Sequence, residues 1–188
     1  ISKDGNFTIT YNGEIYNYKE IKNELIKKKI IFKSNSDTEV VIEAYKYWGL
    51  DCLKKFRGMF AFAIWDNIKK ELILARDPFG IKPLYYSKKN NILFFASQVK
   101  SILSIDNLSF EKSGKHSLDY YLWGNINEPF TIYKDIYSIE RGTAKIFDRN
   151  FNETSFEYAN LKETIIKSEK NYFKNKLELN EKLNHIIK

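Results

Sequence analysis

The chain has 188 residues, 43% hydrophobic and 16% aromatic, with a formal net charge of +7. That apolar share is enough for one packed core and part of a second, which points to a soluble globular protein. No stretch approaches the roughly 18 uncharged apolar residues of a membrane-spanning helix, and no basic-then-apolar signal opens the chain, so no membrane partner is expected and the cytoplasm is the default location.

The positive charge does not read as a nucleic-acid surface. From Phe151 onward seven Lys face six Glu, so the surplus lies earlier, much of it on Lys19, Lys22, Lys27, Lys28, Lys29 and Lys33. Only four basic residues are Arg, and no aromatic-basic interleaving accompanies them, which describes a solvated lysine face and no nucleic-acid partner. The single cysteine, Cys52, cannot form an internal disulfide, in keeping with a reducing compartment. It sits in the apolar-rich short helix Leu50–Phe56 and reads as a small buried hydrophobe.

The first element is an alternating run ending at Tyr11. It breaks at Asn12-Gly13 and hands over to the amphipathic Tyr18–Lys28, which predicts strand, tight corner, helix. Asn and Gly both tolerate positive φ, and Gly admits a close backbone approach. An Asn amide beside a Gly N–H also makes a pair of neutral donors, as an oxyanion hole requires, although the same dipeptide serves in a plain loop corner. Along the helix, Tyr18, Ile21 and Leu25 form the apolar stripe.

A second helix is punctuated by a capping box, Ser36 with Glu39, by the face Val41, Ala44, Tyr45 and Trp48, and by Gly49 at its end. Asp37 falls in its first turn. There a carboxylate either favours the helix dipole or counters the α-ammonium of an amino-acid ligand.

Strands follow at Gly58–Trp65, Glu71–Ala75, Leu84–Ser87 and Ile92–Ala96, apolar enough to predict a sheet covered on both faces. Arg76-Asp77, before Pro78 and Gly80, reads as a structural pair holding a loop, and Trp48 and Trp65 read as core. Helices are expected at Gln98–Leu103 and Ser117–Trp123. His116 and His185 lack partners at metal-ligand spacing, so both read as surface residues and no metal is expected. Phe151–Lys170 is polar and aperiodic, a linker by composition, and Leu179, Leu183 and Ile186 begin a further helical stripe.

Asn12-Gly13-Glu14-Ile15-Tyr16-Asn17 resembles the glutamine-binding corner of class II glutamine amidotransferases, in the form seen in asparagine synthetases. Three blocks follow in the family's order: Ser36-Asp37-Thr38-Glu39, then Gly58–Asp66, then Ala75-Arg76-Asp77-Pro78-Phe79-Gly80-Ile81-Lys82-Pro83-Leu84-Tyr85-Tyr86. The resemblance implies an α+β fold, a four-layer α-β-β-α sandwich of the N-terminal-nucleophile hydrolase type, incomplete at its N-terminus. It implies an amidotransferase domain over 1–150, then the linker and first helix of an asparagine synthetase domain over 151–188.

It also implies that Asn12 and Gly13 form the oxyanion hole, and that with Glu14 and Asp37 they bind L-glutamine. The family's nucleophile is an N-terminal cysteine whose own α-amine acts as base. This chain starts with Ile1, and the nitrogen of Cys52 is tied in a peptide bond. The expectation is therefore a piece of a longer parent, inactive alone. The parent hydrolyses glutamine and passes ammonia to an ATP-activated carboxylate, aspartate first among them.

No residue after Gly142 is Gly, so no nucleotide site is expected in the chain, and ATP and Mg²⁺ belong to the synthetase domain, its expected partner. Gln98 and Glu140-Arg141-Gly142 depart from the commonest asparagine-synthetase pattern and lean towards members encoded with bacterial surface-polysaccharide genes. Another acceptor, a non-catalytic glutamine-binding module and a homodimer therefore stay open.

Overall fold

The computed structural model describes residues 1–2 and 4–171; the stripe expected at Leu179, Leu183 and Ile186, and His185, lie outside them. In chain order the elements are β1 (Phe7–Ile15), α1 (Tyr18–Lys27), α2 (Asp37–Trp48), a 3-10 turn (Gly49–Lys55), β2 (Gly58–Asp66), β3 (Glu71–Arg76), β4 (Tyr85–Lys89) and β5 (Ile92–Ala96). Then come α3 (Val99–Leu103), α4 (Gly114–Trp123), β6 (Tyr137–Ser138), β7 (Thr143–Phe147), β8 (Glu153–Glu157) and α5 (Leu161–Asn171). One sheet has the order β1-β2-β3-β7-β8 and the other β5-β4-β6; every strand pairing is antiparallel.

β2 explains the layering. Its side chains alternate between two covered faces, which is why its sequence is apolar without interruption. Phe60, Phe62 and Ile64 join Ile21 and Leu25 of α1 and Val40, Val41 and Ala44 of α2 in the larger core. Ala61 and Ala63 face the other way and pack with Leu74 and Phe147 against Leu84 and Tyr86 of the second sheet. On β2 itself, bulk thus lies on the helix side and small side chains on the side of the second sheet. Beyond the second sheet α3 packs on β4 and β5, with Ile102 buried, so the order is helices, sheet, sheet, helix, as the sequence implied.

Several expectations are corrected. The strand β1 does not end at Tyr11: it runs to Ile15, with Asn12 opposite Ala61 and Gly13 opposite Phe60, and the chain turns at Tyr16-Asn17. Ser36 caps α2 through Thr38 N at 3.1 Å, but Glu39 does not complete a capping box. Its carboxylate accepts instead from Lys33 N and Ser34 N, each at 2.7 Å, because the preceding turn brings those donors closer. α4 begins three residues early, at Gly114, where Ser113 Oγ accepts from His116 N.

Residues 153–157, expected within a linker, form β8, an edge strand paired along β7, and 161–171 form α5. Trp65 shares the face of Ala61 and Ala63 but is exposed, beyond the cover of the three-stranded sheet. His116 is not simply a surface residue either: its ring stacks on Phe130 at 4.7 Å, and its Nδ1 is buried.

Arg76 and Asp77 hold a loop, yet not by pairing with each other. The fully buried Asp77 carboxylate accepts from four backbone amides: Phe60 N at 3.3 Å, Phe79 N at 3.0 Å, Ile81 N at 3.1 Å and Lys82 N at 3.0 Å. Arg76 donates to the carbonyls of Lys82, Gly80 and Ile139 and to Glu128 Oε1 at 2.6 Å. Asp77→Asn replaces one acceptor oxygen by an NH₂ and strands the amides that oxygen served. An unmade buried hydrogen bond costs about 1–3 kcal/mol, so the expected loss in urea denaturation is about 3 kcal/mol.

Cys52 is buried, and burial pushes its thiol up to about 12. The unfolded thiol ionises near 8.5, so its contribution to stability is fully present below that pH and is lost as pH rises from about 8.5 towards 12. Urea midpoints of the wild type and of Cys52→Ala should therefore converge over that range. Iodoacetamide should modify Cys52 only after denaturation.

Candidate functional site

The open edge of β1 is where the residues singled out in the sequence lie. β1 pairs only with β2, so its other side is unpaired among the described strands. Tyr16 N donates to Arg57 O at 2.7 Å, towards β2, whereas Ile15 N donates to Asp37 Oδ2 at 3.3 Å, away from it. Backbone groups alternate sides along an antiparallel strand, so Gly13, two residues before Ile15, also directs its N–H off the open edge.

Gly13 is required by contact. Its φ is +147°, and a Cβ built there would stand 2.1 Å from Met59 O and 2.6 Å from Phe60 Cα. The β2 backbone comes too close for any side chain. The glycine read as a corner residue therefore answers a close approach instead.

Side chains on β1 alternate as well. Asn12 is exposed and donates from Nδ2 to Ser97 Oγ at 3.5 Å, towards the second sheet. Both border a cavity of about 140 Å³ between the sheets, whose wall includes Ala61, Ala63, Leu84 and Phe95. A primary amide has two N–H donors, so Ser97 leaves one for a ligand. Glu14 lies two residues on, on the same face, exposed and without a hydrogen bond among the described residues.

Asp37 belongs to the opposite face. Its Oδ2 accepts from Tyr11 OH at 2.8 Å as well as from Ile15 N. Burial, reinforced by the bond to Asp37, raises the Tyr11 hydroxyl well above its ordinary range, so it remains a donor and orients the carboxylate. The structure thus brings Asn12, Gly13 and Glu14 together along one edge and sets Asp37 across that edge from Asn12 and Glu14.

Sequence reading missed Tyr11 and Ser97. Their partners are 26 and 85 residues away, and only the alternation of β1 hinted that Tyr11 and Asn12 take opposite sides.

Chemically, this edge offers two neutral donors, the Asn12 amide and the Gly13 N–H, flanked by two carboxylates. That set suits a developing oxyanion on one part of a ligand and a cationic group on another.

The architecture is a four-layer α-β-β-α sandwich. The glutamine phosphoribosylpyrophosphate amidotransferase from B. subtilis superposes with a TM-score of 0.56 over 84% of this chain and 30% of its own, at 22% identity, a likeness of fold. A family model described as "Glutamine amidotransferase domain" matches residues 1–159, and the chain belongs to that family.

Among curated proteins it is 40% identical over 141 residues to asparagine synthetase [glutamine-hydrolyzing] 1 of Bacillus subtilis, a match covering 75% of this chain and 22% of the relative. It is 37% identical over 147 residues to putative asparagine synthetase [glutamine-hydrolyzing] 2 of Methanocaldococcus jannaschii, covering 77% and 28%. The chain thus spans about a quarter of the length of these relatives.

Gly13→Ala should displace β2 from β1. A methyl at 2.1 Å from a carbonyl cannot be accommodated by a rotamer change. Overpacking typically costs about 1–3 kcal/mol, and strain at positive φ adds to it, so a loss of about 3 kcal/mol or more is expected in chemical denaturation.

Proposed function

We propose that this domain is the glutamine-hydrolysing part of an asparagine-synthetase-like enzyme. The observation that carries the reading is the Asn12-Gly13 donor pair on the open edge of β1, beside the inter-sheet cavity. It gains weight from 40% identity to a glutamine-hydrolyzing relative.

A thiolate attacks the side-chain carbonyl carbon of glutamine. The oxyanion that forms is held by Asn12 Nδ2–H and Gly13 N–H, ammonia leaves once its nitrogen is protonated, and water hydrolyses the thioester to glutamate. Glu14 and Asp37 hold the α-ammonium from the two sides of the edge, Asp37 being oriented by Tyr11. Cys52 is not that nucleophile, because it is buried and held protonated. The thiolate is supplied by polypeptide outside this sequence, whose single cysteine is Cys52; the domain is read as extending to Ala159, where the family match ends and after β8 has joined the sheet.

Ammonia then amidates an ATP-activated carboxylate, aspartate being the leading acceptor and a carboxylate of surface-polysaccharide synthesis the alternative. Among the described residues no glycine-rich loop opens onto a helix N-terminus, so ATP and Mg²⁺ are assigned to polypeptide outside them.

The test is made on the full-length protein with glutamine, ATP, Mg²⁺ and aspartate, following glutamate and asparagine together. Both products are expected, with asparagine dependent on ATP. Asn12→Ala should lower kcat for glutamate release by about 10²–10³, the usual cost of one oxyanion donor, with little change in KM. Glutamate without asparagine would move the acceptor to another carboxylate. No glutamate at all would reduce the domain to a glutamine-binding module.

A further inference from the structure

Helix α4 has no buried residue. Tyr121, Leu122 and Trp123 are 85%, 63% and 78% exposed, and Leu118, Tyr120 and Phe130 are exposed beside them. Single apolar residues on a surface are ordinary, whereas a contiguous aromatic cluster marks an interaction site. Nor does such a helix sustain itself: isolated helices shorter than about 12–15 residues are marginal in water, and most helical stability comes from packing. α4 has 10 residues. It is held by the Ser113 cap, the left-handed Gly124 and the stacking of His116 on Phe130.

A cavity of about 860 Å³ lies beside α4, with Tyr120, Phe130, Tyr85, Arg76, Arg141 and Ser138 in its wall. Ser138 is 5% exposed, and its buried hydroxyl has no hydrogen-bond partner among the described residues. The Arg141 guanidinium likewise makes no ion pair among the described residues.

The polypeptide leaves the sheet next to Gly142, the neighbour of the cavity-lining Arg141. After β8, Tyr158 N and Ala159 N donate to Gly142 O, next to Arg141, and Tyr158 OH donates to Arg76 O at 2.6 Å. α5 follows, with Ile165 and Ile166 exposed. The sequence after Asn171 carries Leu177, Leu179, Leu183, Ile186 and Ile187, and the curated relatives are several times longer than the matched part.

We propose that α4 and the adjoining cavity are the docking face for the polypeptide that follows Asn171 in the same chain. Tyr121, Leu122 and Trp123 anchor it, and Arg141 meets its polar groups. The inference deepens the proposed function, since it rests on this domain working joined to another part of one chain. A tethered segment that starts beside Gly142 has an effective concentration in the mM range for a short flexible connection, so it outcompetes a second copy drawn from dilute solution. Aromatic anchors are the residues that dominate such contacts.

The test uses the full-length protein carrying p-benzoylphenylalanine in place of Tyr121. After irradiation, mass spectrometry should find crosslinks within a monomer to peptides after Asn171, at a yield unchanged by 100-fold dilution. Amides 118–123 should exchange about ten-fold or more slowly than in the Tyr121→Glu/Trp123→Glu double variant.

Crosslinks between two copies, a yield that falls on dilution, or equally fast exchange in both proteins would overturn the proposal. Glutamate release by the unmodified protein, assayed separately, tests the functional reading alone. Its absence leaves the crosslinking result interpretable.

Discussion

The corner at Arg76-Asp77 is the constraint on which the remaining structure depends. A carboxylate taken out of water must find acceptor-matched donors, and Asp77 finds four, all of them backbone amides. One belongs to β2 and three to the loop running from the first sheet towards the second. Arg76 closes the other half of the corner through three carbonyls and Glu128, and its own carbonyl receives Tyr158 OH. The two sheets, the loop between them and the departing chain are thus tied at one place by hydrogen bonds to charged groups. The spacing of the sheets, and with it the space beside Asn12, follows from that place.

The two faces of β1 divide the labour. Tyr11 and Asp37 stand on the helix side and lock each other, while Asn12 and Glu14 stand on the side of the second sheet with capacity to spare. Gly13 separates them and, lacking a side chain, lets β2 approach without closing the edge. A ligand lying along that edge meets a rigid carboxylate on one flank and adaptable polar groups on the other.

Much of this was legible in the sequence. The helical stripe of α1, the Ser36 and Gly49 caps of α2 and the apolar runs of β2, β3 and β5 each carry a local signal, and local signals survive tertiary packing. β8 carries none, because an edge strand with only Phe156 partly buried has no apolar alternation to show. Asn12-Gly13 has the composition of a corner but serves as strand, since the demand for glycine comes from Met59 on a neighbouring strand. Family resemblance supplied the identities of Asn12, Gly13, Glu14 and Asp37. The bonds from Tyr11 to Asp37 and from Asn12 to Ser97 were hidden, being fixed by pairing across the fold rather than by spacing along the chain.

The alternation of bulk along β2 carries a consequence for how variation in this protein would be read. Phe60 and Phe62 on one face fill a core, and changes there alter how much folded protein a cell holds. Ala61 and Ala63 on the other face bound the space next to Asn12, whose size is set by the methyl groups they lack. A slightly larger apolar residue at either position takes up room without stranding a polar atom. In a survey of variants, adjacent residues of a single strand would therefore sort into two phenotypes, one seen in abundance alone and the other chiefly in which ligands are admitted, with a packing cost added.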